Sequence, residues 1–358
     1  MKLVIFGLSV SSSWGNGHAT LWRGLIGALA GLGHKVVFFE RDVPYYAAHR
    51  DLDRLPEADL RLYADWSDAL AAARVHFADA DVGMVTSYCP DAVAASDAML
   101  EADLPLRIFY DLDTPVTLDR LRDGHPVPYI SSRGLADFDL VLSYTGGRAL
   151  TELRDRLGAR RAAPLYGSVD PRVHRPAAPR EQYRADLSYL GTYAQDRQRA
   201  LTDLLVEPAR RSPRRWFLIG GAQYPADFPW AENIAFVRHL PPAEHPSFFA
   251  SCRLTLNVTR APMAELGYCP PGRLFEAAAC GAPLVTDAWD GLDEFFTPGD
   301  EILIARGAAD VLAAMELSDA ERTRMARAAR ERVLAEHTAA HRAEELVTLL
   351  DGVTSARI

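Results

Sequence analysis

A chain of 358 residues is long enough for two domains of ordinary size, and 49% hydrophobic with 24% charged residues is enough to build real cores. Its net charge of −9 argues against a nucleic-acid or anionic-membrane partner, so any phosphate site has to be a local basic pocket. Cys89, Cys252, Cys269 and Cys280 lack any C-x-x-C spacing, which disfavours a zinc knuckle or disulfide scaffold and suggests a reducing cytoplasm.

The first apolar run, Leu3-Val4-Ile5-Phe6, reaches Gly7 too soon for a signal peptide or a spanning helix and reads as a parallel strand. A loop over 11–20 follows, containing Trp14, Gly15, Asn16, Gly17 and His18. Leu21, Leu25, Ala28, Leu29 and Leu32 then recur at helical spacing, before a second strand over 36–40 that ends in Glu40. Strand, glycine loop, helix and acid-tipped strand together look like a dinucleotide-binding half. The fingerprint departs in detail, because Thr20 stands at the third glycine position. His18 has two readings, a general base or a capping and packing residue. The aromatic stretch over 41–46 is open between an acceptor wall and a surface turn.

Strands are predicted over 81–86 and 105–110, the latter running into Asp111-Leu112-Asp113-Thr114-Pro115. Ligands of open parallel sheets bind beyond the carboxyl ends of strands, where these acids sit. A metal-binding Asp-x-Asp and acids capping the next helix are both open. A strand over 139–143 leads to Gly146-Gly147, suited to close backbone approach by a ligand or simply to a tight turn. The Pro- and Arg-rich stretch over 176–180 reads as an interdomain linker.

The second half opens with a strand from Leu187 that ends at Gly191 and Thr192, with Arg197 at the next helix start. That order suits a phosphate. A strand over 216–221 repeats the pattern, and one over 254–260 delivers Asn257 and Arg260, the arginine being equally suited to an ion pair. The most informative segment is Pro270-Pro271-Gly272-Arg273-Leu274-Phe275-Glu276-Ala277-Ala278-Ala279-Cys280-Gly281-Ala282-Pro283-Leu284-Val285-Thr286-Asp287. Prolines and a glycine precede a strong helix former, Gly281 ends it, and a buried strand follows. The product is a short helix whose positive end faces a loop, with Arg273 in its first turn and Glu276 one turn on. A capping box, Ser318-Asp319-Ala320-Glu321, starts a long charged helix, and another helix ends the chain.

The run from Arg273 to Asp287 resembles the donor-nucleotide segment of GT-B glycosyltransferases, most closely the CgeB-like branch related to glycosyltransferase family four. Asp111-Leu112-Asp113-Thr114-Pro115 resembles the same branch. The resemblance implies an α/β chain with two Rossmann-like domains facing across a cleft: 1–175 for the acceptor, 185–335 for the donor, and a last helix, 336–358, returning to the first. It implies transfer of a sugar from a nucleotide-diphosphate sugar, UDP- or dTDP-linked, to an unidentified small-molecule or protein acceptor. Glu276 is then expected on the ribose hydroxyls and the helix start on the diphosphate. Gly191, Thr192, Arg197, Asn257, Arg260, Tyr268, Gly272, Arg273 and Leu274 complete the expected donor set. Trp14, Gly15, Asn16, Gly17, Gly146 and Gly147 form the expected acceptor side, with His18, Asp111 and Asp113 as catalytic candidates. No metal or further cofactor is expected. The wider family often has a glutamate where this chain has Tyr268, with Glu265 three residues upstream, so the sugar contact stays open. So do three rivals: an epimerase of the same fold, an NAD-dependent oxidoreductase using Glu40, and a non-catalytic sugar-nucleotide sensor.

Overall fold

Short apolar strands alternate with helices throughout, and the computed structural model describes residues 1–356. The chain divides into two units: Met1–Tyr166 together with the chain from Ala339 onward, and Gly167–Thr338. Both are parallel-sheet α/β layers of Rossmann-like type. Among the described residues no helix is long and apolar enough to cross a membrane.

The first unit is built on β1 (Lys2–Gly7), β2 (Lys35–Arg41), β3 (Asp59–Tyr63), β4 (Val82–Thr86), β5 (Leu106–Asp111), β6 (Leu140–Ser143) and β7 (Ala162–Pro164). Their order is β3-β2-β1-β4-β5-β6-β7, every pairing parallel. Leu3 and Ile5 point into one core and Val4 and Phe6 into another, so β1 is covered on both faces. Leu346, Leu350 and Val353 of the last helix, Ala339–Ser355, join Leu25 and Leu29 of the helix Gly17–Gly31 in the first of these cores.

The second unit is built on β8 (Ala185–Leu190), β9 (Phe217–Gly221), β10 (Ile234–Arg238), β11 (Cys252–Asn257), β12 (Leu284–Thr286) and β13 (Leu303–Ile304), in the order β10-β9-β8-β11-β12-β13. Strand order reverses between β1 and β4 in one sheet and between β8 and β11 in the other. Crevices beyond the carboxyl ends of strands at such reversals are where open α/β sheets bind ligands.

Three details depart from the expectations above. Asp111 is the last residue of β5 rather than the first of a loop, and Tyr45 and Tyr46 lie in a one-turn helix, Pro44–Ala47. The strands β3, β7, β10 and β13 had no counterpart in the sequence reading. All four are sheet edges, where a short strand with one bonded neighbour needs no continuous apolar run. The four cysteines are buried, and none forms a disulfide among the described residues.

Candidate functional site

In the first unit the segment after β1 is held from below by Glu40, the penultimate residue of β2, only 1% exposed. Its carboxylate accepts from the Val10 and Ser11 backbone N–H at 2.7 and 3.0 Å and from the Ser9 and Ser11 hydroxyls at 2.9 and 2.6 Å. Asn16 then caps the helix Gly17–Gly31: its Oδ1 accepts from the His18 N–H at 3.0 Å, and its Nδ2 donates to the carbonyls of Ser9 and Ser12. His18 is thereby fixed in the first turn. Its Nε2 lies 3.0 Å from Asp113 Oδ2, which also accepts from the Ser87 hydroxyl at 3.0 Å.

The pairing with a carboxylate places the imidazole proton on Nε2 and leaves a lone pair on Nδ1. That nitrogen is buried and has no hydrogen-bond partner among the described residues. Buried polar atoms are nearly always satisfied, so an orphan here is uncommon. Asp111 is fully buried, and its Oδ1 accepts from the Asp113 N–H at 3.0 Å. Burial, and then the neighbouring Asp113 charge, push its carboxyl up to about 7. Asp111 thus props the turn that carries Asp113 and faces no partner through Oδ2 among the described residues.

The remaining acceptor-side candidates make the following contacts within the first unit. Trp14 stacks on His49 with ring centroids 4.2 Å apart. Gly15 takes φ 58°, and Gly17 opens the helix. A Cβ on Gly146 would come 2.0 Å from the Tyr166 hydroxyl, so the close approach there is made by the protein's own side chain. Gly147, at φ 56°, is exposed and begins the helix Arg148–Leu157. Ser87 escaped the sequence reading, because nothing local connects it to residues 26 positions away. Beside it Tyr88 holds φ 58°, a strained value for a bulky residue, with its ring 5.0 Å from Tyr129.

In the second unit β8, β11 and β12 bring their carboxyl ends together. Arg197 donates from Nη1 to the Thr192 carbonyl at 3.0 Å, while its Nε is buried without a partner among the described residues. A Cβ on Gly221 would lie 2.0 Å from the Gly191 carbonyl, so the Gly191–Thr192 turn packs directly on bare backbone. Arg260 forms an ion pair with Asp196 at 2.8 Å. Asn257 donates to Thr286 Oγ1 at 3.0 Å, and Asp287 accepts from the backbone and hydroxyl of Thr259. Burial pushes the Asp287 carboxyl up.

The helix Gly272–Ala279 starts after Pro271, with no side chain capping it. The Leu274 N–H donates to the Pro271 carbonyl at 2.9 Å, and a helix start without a side-chain cap is an arrangement that suits a phosphate. Leu274 is buried beneath it. Arg273 turns back along the helix and pairs with Glu276, which is 7% exposed, and its Nη1 also donates to His245 Nδ1 at 3.0 Å. His245 Nε2 donates to the Leu240 carbonyl at 3.2 Å, and His174 Nε2 lies 3.3 Å from His245 Nδ1. Burial lowers both histidines, that of His245 far below the usual range with Arg273 adding to it. Neither histidine was singled out in the sequence: 71 residues separate them and no spacing rule joins them. Tyr268 adopts φ 49°, its N–H donates to the Asp290 carbonyl at 2.7 Å, and its ring lies over Gly291. Tyr268 is half-buried.

Residues 197–348 match a sequence family described as glycosyl transferase-like. No curated protein matches the chain in sequence. In three dimensions it is similar to sucrose-phosphate synthase from Thermosynechococcus elongatus, at 14% identity and TM-score 0.75, with 99% of each chain covered. The Anabaena protein HepE in complex with UDP-glucose is similar at 12% identity and TM-score 0.70, covering 98% of this chain and 100% of that one. T4 phage BGT, in complex with UDP and Mn2+, is similar at 12% identity and TM-score 0.64, with 99% of each chain covered. The chain has the GT-B fold. Within this GT-B protein the matched segment takes in Arg197, Arg260, Arg273 and Glu276, while His18, Asp111 and Asp113 lie outside it.

Proposed function

We propose that this GT-B protein is a metal-independent glycosyltransferase that moves a sugar with inversion from a nucleoside-diphosphate donor to an acceptor hydroxyl. The observation that carries the reading is the His18–Asp113 pair at the β1/β4 reversal, with His18 Nδ1 left without a partner among the described residues. In this reading Nδ1 takes the acceptor proton while the acceptor oxygen attacks the anomeric carbon, and the bond to the diphosphate oxygen breaks on the opposite side. Asp113 stabilises the imidazolium that forms, and Ser87 fixes Asp113.

The leaving diphosphate is held on the second unit by the first N–H groups of Gly272–Ala279 and by the Gly191–Thr192 turn. Arg197 has an unspent donor among the described residues, and Arg273 joins once its ion pair opens. Electrostatic stabilisation of a leaving group in this way is often the largest catalytic term. The CgeB-like character of the Arg273–Asp287 run supports a UDP- or dTDP-sugar as donor. The dinucleotide alternative loses its ribose acceptor, because both Glu40 oxygens are spent on Ser9, Val10 and Ser11.

The test is a thermal-shift panel of UDP, dTDP, ADP, GDP and NAD(P), followed by donor hydrolysis and transfer to a glycoside panel with product anomers read by NMR. Stabilisation by a nucleoside diphosphate with turnover is expected; a retained anomer would overturn the base role of His18. Glu276→Ala is expected to weaken binding of the nucleoside diphosphate by about 1–3 kcal/mol, through loss of a charge-assisted hydrogen bond to the ribose. Calorimetry on the folded variant checks this, and an unchanged Kd removes Glu276 from the donor site. Turnover is expected to survive EDTA. Loss that magnesium or manganese restores would assign Asp111 and Asp113 to a metal instead.

A further inference from the structure

Three donor atoms from distant parts of the second unit converge on one point. His174 Nε2 is 3.3 Å from His245 Nδ1 and 3.9 Å from Glu276 Oε2, and His245 Nδ1 is 3.8 Å from Glu276 Oε2. Tetrahedral zinc with nitrogen and oxygen donors holds neighbouring ligand atoms about 3.3–3.5 Å apart, close to these spacings. All three residues are buried.

His245 also carries its lone pair in the right sense. The bond from His245 Nε2 to the Leu240 carbonyl fixes the tautomer and turns Nδ1 inward, as the outer partner of a metal-bound imidazole does. The position between the donors is taken by a cation already: Arg273 Nη1 bonds both His245 Nδ1 and Glu276 Oε2. Arg273 differs from the three in being partly exposed, with 26% of its side chain accessible, so it has a way out to solvent.

We propose that His174, His245 and Glu276 form a binding site for zinc or a similar borderline divalent ion, which displaces Arg273 and completes its coordination with water. Two imidazoles and one carboxylate suit such an ion better than magnesium or calcium, which take oxygen donors. The consequence for catalysis rests on the donor reading given above. A bound ion holds Glu276 away from the ribose, so it inhibits the enzyme rather than serving it. This is compatible with activity that survives EDTA.

The experiment uses the untagged full chain, dialysed free of metal. Cobalt(II) is titrated in and its visible absorption recorded, then zinc is added. One equivalent with the intense bands of a four-coordinate ion, displaced by zinc, is expected. His174→Ala and His245→Gln, each confirmed as folded by thermal denaturation, are expected to lose the bands and at least about 100-fold in affinity. Arg273→Ala is expected to bind cobalt more tightly, since the competing cation is gone. No saturable band in the wild type, full binding in both histidine variants, or weaker binding in a folded Arg273→Ala would each overturn the site. UDP calorimetry separates the two readings. A UDP Kd raised by zinc supports the inhibitory role, and a zinc-independent Kd overturns it. UDP that fails to bind with or without zinc overturns the donor reading while the cobalt spectrum still decides the metal site.

Discussion

His18→Ala is expected to lower kcat by about 10²–10⁴-fold while leaving the Kd of the nucleoside diphosphate unchanged. The separation follows from the fold. His18 belongs to the Met1–Tyr166 unit, whereas the helix Gly272–Ala279, Arg197 and Glu276 belong to Gly167–Thr338. Its ring is aimed by two contacts made before any substrate arrives, the Asn16 cap on its backbone and Asp113 on Nε2. The measurement is kcat under saturating donor between pH 5.5 and 9. The wild type and the variant should differ in their pH profiles. Asp113→Asn should keep the ring in place but destabilise the imidazolium, giving a smaller loss with the same altered profile. Equal kcat values and pH profiles for wild type and His18→Ala would end the base assignment. Asp111 would then be the next candidate, although its complete burial speaks against direct contact with an acceptor.

Glu40→Ala is expected to destabilise the first unit by about 3–5 kcal/mol, because it orphans two buried backbone N–H groups and two hydroxyls together. The same loop runs through Ser12 to Asn16, so the change should also loosen His18 and depress kcat in whatever fraction stays folded. Differential scanning calorimetry reads the first effect. For a unit of this size each kcal/mol moves the midpoint by about 2–4 °C, so a fall of roughly 10 °C is expected for the transition of that unit. An unchanged midpoint combined with lost NAD(P) affinity would revive the dinucleotide reading of Glu40.

Much of this was legible before any coordinates. The nine interior strands are short runs buried on both faces, so apolar character alone exposes them. The helix Gly272–Ala279 is bounded by Pro271 and by Gly281 at φ 78°, residue types whose backbone limits act locally. The capping box at Ser318 formed for the same reason, both its bonds lying within four residues. Asp111, Asp113 and His18 could be singled out because they lie at, or in the segments following, the carboxyl ends of recognisable strands, where parallel sheets place their chemistry. What one-dimensional pattern could not supply is pairing between distant positions. The edge strands β3, β7, β10 and β13 exist because a neighbour offers them a ladder. Glu40 reads as a ribose ligand until the loop over 9–11 folds down onto both its oxygens. Arg273 and Glu276 read as two separate ligand contacts until their shared turn, with His174 and His245 brought in from 71 residues apart, closes them into one buried cluster. Local sequence determined the elements and their ends, since propensity, capping and turn chemistry act over a few residues. Which side chains are already satisfied, and which are left for a ligand, was decided only when the sheets closed, because a hydrogen bond depends on proximity in space and not along the chain.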